Sequence, residues 1–438
     1  MDIRSFSRVF IKRAIDYGFE FIEVFYFNKK STKIEIYSRD IDNLTICDEI
    51  GVCISGRLKG KTSQIYTENL DEDIIDILIE QLDRNLSDIN IPMSYNAKYY
   101  NDVIGINSSK DTDINKKMDL LKQLEKETLK LCTRNMNISY CIYAEDIVNV
   151  HLINSNKIYR IRRHNKFYLY LSIMVKSNKG IKSVSDCMTV NGFEKLQINE
   201  LIEKVVNDAI NLENNDTIKS GYYDVVIRND VMAKLFSKYV GLFLDCNNIN
   251  IGKIKDKIGE KIFSELITII DDPHHKNGIN NTYFDDEGNS THKKNLVLNG
   301  IVKGFLENTT YNNMSNFNGN GFRTNYKHPI KVSHTNIYIK QGKCNKLKII
   351  NNMEKGLYIT SIKGIKCSID MVSGDFSIPI SGNCIINGKL GYSFDNALLN
   401  GNFFELLNNV EYIANDLSFY FNGVGSPTIK FKNLFIVS

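Results

Sequence analysis

Several features are missing from this sequence of 438 residues, and most of these absences exclude a class of protein. None of its nine cysteines forms a CxxC pair and their number is odd, so we expect reduced thiols, as in a cytosol. No segment approaches the roughly 18 uninterrupted apolar residues of a membrane span, and the first residues carry charges within their apolar pattern. We therefore expect a soluble, cytoplasmic protein.

A marked excess of either charge is also missing. Lysine and arginine total 55, against 51 for aspartate and glutamate, and both signs are interspersed along the whole chain. No face is therefore expected to follow a phosphate backbone. The absence of tryptophan excludes no function. We expect neither nucleic acid nor a membrane among the direct partners.

The length of the chain suits two or three domains, each large enough to bury a core. The polar segment ENNDTIKSG follows a helical pattern and contains Gly221, so it is the best candidate for a boundary. We predict two domains, residues 1–218 and 219–438.

The first domain is predicted to be α+β and the second β-rich. In the first, helical spacing alternates with strand-like runs, and FIEVFYF and KIEIY, separated by NKKST, look like a hairpin. Residues 86–115 lack a clear period and are predicted to form a long surface connection. In the second, residues 232–243 show one apolar helical face, and NGNFFELLNNVEYIANDL looks helical. Its remaining short runs, punctuated by Gly and Asn, favour an antiparallel sheet or barrel.

Acids and histidines are concentrated over residues 271–292, which include DDPHH and YFDDEGNSTH. Histidine nitrogens and carboxylate oxygens are common zinc ligands. However, neighbouring residues of an extended chain point to opposite faces, so His274 and His275 can hardly bind one ion. We interpret Asp271 and Asp272 as organising a turn, and the two histidines as surface variation.

Several phrases spread over nearly the whole chain carry a resemblance. They are GVCISGRLKGKTSQIYT in the first half, followed by SGYYDVVI, LITIIDDP, FDDEGNST, GIVKGFL, TNIYIKQG, GLYITSIKG, SGDFSIPISGNCIINGKLGY and GSPTIKFKNLFI. These phrases occur in the order found in the TldD/PmbA family of peptidase-related proteins, once described as modulators of DNA gyrase, and the chain resembles that family. The resemblance implies a two-domain fold with a β-rich second half, and paired subunits that enclose an inner chamber.

The resemblance also implies a division of roles between subunits. A TldD-like subunit looks like a zinc peptidase with an HExxxH motif and a later cysteine, whereas a PmbA-like subunit, also called TldE, lacks both. Here SKYVGL places Ser237, Lys238 and Leu242 at the positions of the first His, the Glu and the second His, and no cysteine follows Cys384. The chain therefore resembles the PmbA/TldE branch, with no catalytic residue and no metal or other cofactor of its own.

The resulting expectation is a non-catalytic subunit that pairs with a TldD-like zinc peptidase and acts on unfolded peptides. The zinc is expected in the partner, and a homodimer is expected when the chain is alone. One alternative is an autonomous metal-dependent hydrolase with ligands from residues 271–292. Another is a stand-alone regulator that binds gyrase or DNA, against which the mixed charge pattern argues.

Two further candidates for contact with the chamber or a peptide remain open. DEGN has the composition of a hairpin turn, but the acidic loop of Asp285, Asp286 and Glu287 could instead face the chamber and orient a peptide. Arg57 could bind a peptide carboxylate, or it could be a solvated hairpin arginine.

Overall fold

The computed structural model describes all residues except 39, 90, 92, 95–111, 178–179, 214, 245–251, 310–316, 365–368 and 421. The surface connection predicted over residues 86–115 falls largely on 95–111 and so lies outside the described residues. In the described part of the chain, no helix is long and apolar enough to cross a membrane.

The first half is built on an open, antiparallel sheet of six long strands in the order β3-β2-β1-β4-β5-β6. The strands are β1 (Phe21–Tyr37), β2 (Asp40–Leu58), β3 (Lys61–Thr67), β4 (Met136–Asn154), β5 (Tyr159–Ser177) and β6 (Gly180–Val190). Four helices accompany them: α1 (Ile3–Tyr17), α2 (Ile75–Arg84), α3 (Ile114–Leu131) and α4 (Ile198–Glu213).

The hairpin predicted within residues 21–37 is wrong, because β1 is one continuous strand. Its polar middle pairs with β2 on one side and β4 on the other, so that Lys29 lies opposite both Glu49 and Val148. The polar side chains find partners on the sheet face: the Ser31 hydroxyl donates to Asp146 at 2.6 Å. A polar run bonded on both edges continues a strand instead of turning.

The four helices cover one face of this sheet, and the other face packs on the second half of the chain. On β5 the residues Phe167, Leu169, Leu171 and Ile173 are buried in a core shared with α3 and α4. Side chains alternate across a strand, so the intervening residues of β5 project from the opposite face. There Phe25 and Val150 of the sheet share a smaller core with Phe284.

The second half contains a closed barrel and a second sheet. Its first elements are β7 (Asn215–Asp216), β8 (Gly221–Ile227), α5 (Asn229–Phe236), β9 (Ile269–Asp271), β10 (Lys294–Leu298), β11 (Ile301–Val302), β12 (Gly321–Phe322), β13 (Lys331–Val332) and β14 (Ile337–Ile339). They are followed by α6 (Lys346–Asn351), β15 (Lys355–Ile362), β16 (Asp375–Ile386), β17 (Lys389–Asn402), α7 (Phe403–Asn408), β18 (Val410–Ile413), β19 (Ser418–Phe419), β20 (Val424–Ser426) and β21 (Ile429–Val437).

Pairing between β17 and β21 closes the ring β21-β8-β15-β16-β17, while the second sheet runs β11-β10-β9-β14-β20-β19. The largest core of the molecule includes residues from both, among them Ile227, Ile269 and Ile337. The predicted fold class, α+β with a β-rich second half containing an antiparallel sheet or barrel, is confirmed.

Two predicted helices are shorter than their patterns indicated. The apolar face over 232–243 is split between α5, which ends at Phe236, and a 3-10 helix, Val240–Phe243. Likewise, helix α7 ends at Asn408, and Val410 then pairs with Phe431 as part of β18. In both cases some apolar residues at helical spacing are buried in a 3-10 helix or a strand instead of an α-helix. Contacts with distant strands, which the local pattern does not show, decide the backbone conformation there.

Candidate functional site

The SKYVGL segment begins where helix α5 ends. The backbone N–H of Ser237 donates to the Ala233 carbonyl at 2.9 Å, and its hydroxyl donates to the Lys234 carbonyl at 2.7 Å. Lys238 follows in a turn and is half-buried. Leu242 lies in the 3-10 helix, 1% exposed, within the main core. Ser237 and Leu242 therefore do not converge on one site.

These three side chains do not form a zinc-binding set. The Ser237 hydroxyl is already bonded to a backbone carbonyl, Lys238 carries an ammonium group that repels a cation, and Leu242 has no lone pair. Elsewhere in the described ranges, no group of three or more His, Cys, Asp or Glu side chains could hold a metal ion. The side chains of Ser237, Lys238 and Leu242 thus do not fit a metal.

Ser237 lines a cleft between α5 and the first sheet. The cleft has a volume of about 300 Å³. Its walls are formed by Tyr170, Ser185, Asp186, Cys187, Ala233, Lys234, Ser237, Tyr420 and Asn422. The site at the end of α5 is therefore a cleft that joins the two halves of the chain.

A buried network of charges fixes helix α5 beside α4. Arg228 donates to both carboxylate oxygens of Asp208 at 2.8 and 2.7 Å, and to Asp230 at 2.6 Å. Lys204 lies 2.8 Å from the Asp230 carboxylate. Although burial opposes it, Arg228 and Lys204 hold the pKa of Asp230 below its usual value. Asp230 is therefore ionised, and it ties the start of α5 to α4.

The acidic residues Asp285, Asp286 and Glu287 form a tight turn, as the composition indicated. The Asp285 N–H donates to the Asn289 carbonyl at 2.9 Å, and the Gly288 N–H donates to the Asp285 carbonyl at 3.0 Å. The turn is nevertheless buried, with each of the three acidic residues at most 1% exposed. Their carboxylates accept hydrogen bonds from other groups of the same chain. Contact of these carboxylates with a peptide stays a prediction.

Strand β5 supplies the cations that hold this turn. Arg162 donates to the Asp286 carboxylate at 2.6 Å and to the Phe284 carbonyl at 3.1 Å, and Arg160 donates to the Gly288 carbonyl. The second carboxylate oxygen of Asp286 accepts the Arg323 backbone N–H at 2.7 Å. The turn is thus a buried connector between the first sheet and the second half.

Asp285 and Glu287 are buried beside each other, and few positive charges lie near them. Asp285 accepts backbone N–H bonds from Glu287, Asn289 and Gly321 at 3.1, 2.8 and 3.0 Å. Burial and the neighbouring Glu287 carboxylate nevertheless raise the pKa of Asp285 to about 8. Burial raises the pKa of Glu287 as well. Two adjacent carboxyls in a dry site cannot both ionise readily, so a proton is retained near neutral pH.

Because this proton is retained in the folded state, we expect the free energy of unfolding to depend on pH. A carboxyl whose pKa is raised by folding stabilises the protein below its unfolded pKa of about 4, and this stability is lost as pH rises through the folded value. The free energy of unfolding should therefore fall between pH 5 and 8.5, by on the order of 1.4 kcal/mol per pH unit for each retained proton. Urea titrations at both pH values should show a smaller fall for Asp285→Asn.

The matched control for this prediction is Asp88→Asn, because the Asp88 side chain is 89% exposed. This variant should keep the pH dependence of the wild type. Equal slopes for Asp285→Asn and the wild type would contradict the assignment of a proton to the Asp285–Glu287 pair.

The predicted turn at DDPHH is confirmed. The Asp272 carboxylate accepts the His274 N–H at 3.0 Å, which forms an Asx turn. Asp271 is fully buried and accepts the Thr335 N–H at 2.8 Å and the Asn320 amide at 3.1 Å. Both carboxylates therefore organise the backbone.

The two neighbouring histidines differ from each other. The exposed ring of His274 stacks on Tyr283, with 4.7 Å between centroids. The ring of His275 is half-buried and packs against Tyr338 and Phe419, at 5.2 and 4.9 Å. The interpretation as surface variation is wrong for His275, whose ring covers a small apolar cluster.

Arg57 lies near the hairpin between β2 and β3. Its side chain is exposed, and its guanidinium is 3.5 Å from the Glu20 carboxylate. An exposed ion pair of this kind contributes little to stability. Arg57 does not line the cleft that Ser237 borders.

The sequence interpretation did not single out the basic residues of β5. Arg160, Arg162, His164 and Lys166 recur at every second position, so they share the sheet face opposite the helices. This period of two is the signal that could have identified them, because a half-buried strand face seldom carries four basic side chains.

Comparisons with known proteins agree with this fold. The chain superposes on the crystal structure of TldE from Thermococcus kodakarensis with a TM-score of 0.85 at 21% identity, covering 99% of this chain and 100% of that one. A Thermotoga maritima structure, named as a candidate modulator of a DNA gyrase, gives a TM-score of 0.87 at 22% identity, with coverage of 99% and 100%. At these identities the likeness shows the fold alone.

A curated relative is the metalloprotease TldD homolog of Buchnera aphidicola, 28% identical over 262 residues, which are 56% of this chain and 54% of the relative. The alignment thus spans about half the length of that relative. The family model described as the PmbA/TldA metallopeptidase C-terminal domain matches residues 220–438. The chain therefore belongs to the TldD/PmbA family of metallopeptidase-related proteins.

Proposed function

We propose that this chain is the PmbA/TldE-like, non-catalytic subunit of a cytoplasmic TldD/TldE-type metallopeptidase complex that acts on unfolded peptides or peptide precursors. In this proposal the two domains are residues 1–218 and 219–438. A TldD-like subunit supplies the zinc, and this chain contributes walls and peptide contacts to a shared chamber.

One observation carries the proposal: Ser237, Lys238 and Leu242 provide no metal ligands at the place of the HExxxH motif. The geometry adds to the chemistry, because Leu242 is buried in the core while Ser237 borders the cleft. Replacing single residues would not rebuild the motif, since Phe236 is the last residue of α5. The cysteines in the described part of the chain are free thiols, which suits a reducing compartment.

The alternative of an autonomous hydrolase with ligands from residues 271–292 is less well supported. The carboxylates of Asp271, Asp285 and Asp286 accept hydrogen bonds from neighbouring backbone groups. The His275 ring packs on aromatic side chains. These residues are engaged in holding the structure together, which leaves few oxygen and nitrogen ligands for an ion.

The isolated chain is therefore expected to bind no stoichiometric zinc. Elemental analysis of protein purified without chelators measures this directly, and a TldD-like subunit with an intact HExxxH motif, purified in parallel, is the positive control. A value near one zinc per chain would contradict the proposed non-catalytic role and favour the autonomous hydrolase.

A further inference from the structure

A small cavity with a basic lining lies between strand β5 and loops of the second half. Its volume is about 170 Å³, which is room for roughly five or six water molecules at about 30 Å³ each. The lining residues are Arg162, His164, Lys166, Asn280, Asn281, Thr282, Phe322, Arg323, Ser333, His334 and Thr335. Five of these are basic and none is acidic, so the cavity suits a small anionic group.

Two of the basic side chains are not paired by a hydrogen bond or an ion pair. Among the described residues, neither His164 nor Lys166 forms a side-chain hydrogen bond or ion pair, although both are half-buried. The Asp146 carboxylate attracts the Lys166 ammonium electrostatically but forms no ion pair with it, so the ammonium recovers only part of the hydration lost on burial. Both groups project from the β5 face that carries Arg162, and they remain available to a ligand.

Arg323 adds a third available donor. Its guanidinium donates to the His328 carbonyl at 3.1 Å and lies 5.2 Å from the centre of the Phe25 ring. Its Nε is buried and has no hydrogen-bond partner in the described part of the chain. The guanidinium therefore lines the cavity as a fixed positive charge with further N–H groups, whereas its Nε lies in the wall, out of reach of a ligand.

The acids near this cavity are already engaged. Asp286 is paired with Arg162, and Asp271 accepts bonds from Thr335 and Asn320. Asp146, which attracts Lys166, is shared with Lys29 at 3.1 Å. The positive charge around the cavity is therefore only partly neutralised. In agreement, burial together with Lys166 and Arg162 holds the pKa of His164 well below its usual value, and burial lowers the pKa of Lys166.

We propose that this cavity is an oxyanion-binding site that takes one carboxylate or phosphate group, through Lys166, Arg323 and His164. Charge-assisted hydrogen bonds from an ammonium and a guanidinium are the usual means of holding such a group. The carboxylate at the end of a peptide is the ligand that suits a peptidase subunit, and this assignment rests on the function proposed above. The anion binding itself does not.

The test uses the isolated full chain and two kinds of probe. Inorganic phosphate and a short N-acetylated peptide with a free C-terminal carboxylate are titrated by calorimetry, with the C-terminally amidated peptide alongside. The His164 ring resonance, assigned by its loss in His164→Gln, reports occupancy of the cavity. Saturable binding with a shift of this resonance is expected for the anions and not for the amide.

Lys166→Met should weaken anion binding by at least about tenfold, because one charge-assisted bond is lost. Since Lys166 forms no hydrogen bond or ion pair with the described residues, this variant should keep its melting temperature. Lys176→Met, at an exposed position ten residues further along the same strand, should change the affinity less than twofold.

The outcomes separate the two proposals. Preference for the peptide carboxylate supports both the oxyanion site and its assignment to a peptide. Preference for phosphate supports the site and removes the peptide assignment, without bearing on the absence of zinc. No saturable shift with either anion, or equal weakening by Lys166→Met and Lys176→Met, would overturn the site even if the complex proves to be an active peptidase.

Discussion

A mixture of this chain with a TldD-like zinc subunit is expected to hydrolyse unstructured peptides, whereas this chain alone is expected to be inert. The reason is that Ser237, Lys238 and Leu242 supply neither metal ligands nor a general base, so the reacting centre must come from the partner. Product formation from an unstructured peptide, followed by chromatography, measures this. A chelator should remove the activity of the mixture, and added zinc should restore it.

The matched control changes the partner and leaves this chain intact. Replacing the Glu of the partner's HExxxH motif by Gln should eliminate turnover without preventing assembly, which size-exclusion chromatography can verify. Cleavage by the partner-free chain at an undiminished rate, or continued activity of the disabled complex, would contradict the proposed division of roles.

Replacing Arg162 by Ala is expected to lower the free energy of unfolding by about 3 to 5 kcal/mol. The change leaves the Asp286 carboxylate buried without its counter-charge, and the Phe284 carbonyl loses a donor. Chemical denaturation of the isolated chain measures the loss. The effect should exceed that of most single substitutions, because a partner is removed from a fully buried charge.

Arg84→Ala is the control for this prediction. Arg84 also forms an ion pair, 2.9 Å from Glu80, but both side chains are largely exposed, at 74% and 57%. Its loss should cost less than about 1 kcal/mol. Similar losses for Arg84→Ala and Arg162→Ala would show that the acidic turn does not depend on its contact with β5.

The spacing of apolar residues was sufficient to predict those strands and helices that bury one regular face. The alternation along Phe167, Leu169 and Leu171 predicts a strand with one covered face, and the structure contains it as β5. Periodicity failed at the polar middle of β1, where composition indicated a turn. There the ladder bonds on both edges come from residues far along the chain, and no local pattern reports them.

For the candidate site, the sequence offered residues to examine but not the contacts they make. Ser237, Lys238 and Leu242 could be identified from their place in SKYVGL alone. By contrast, the bond from Arg162 to Asp286 joins residues 124 positions apart. Which acidic turn meets which basic strand depends on how the two halves pack, and this follows from surface shape and burial that a single sequence does not encode locally.

Closure of the barrel by β21 has a consequence for the order in which the chain folds during its synthesis. Strand β8 ends at Ile227, but β21, its antiparallel neighbour, begins only at Ile429. At about 5–20 residues per second, a ribosome needs roughly 10–40 s to produce the residues between them. For that time the edge of β8 that will meet β21 lacks its neighbour, while the first sheet can already be complete. The nascent chain therefore exposes an unpaired, apolar strand edge at Val225 and Val226, and slower translation of the second half would prolong that exposure.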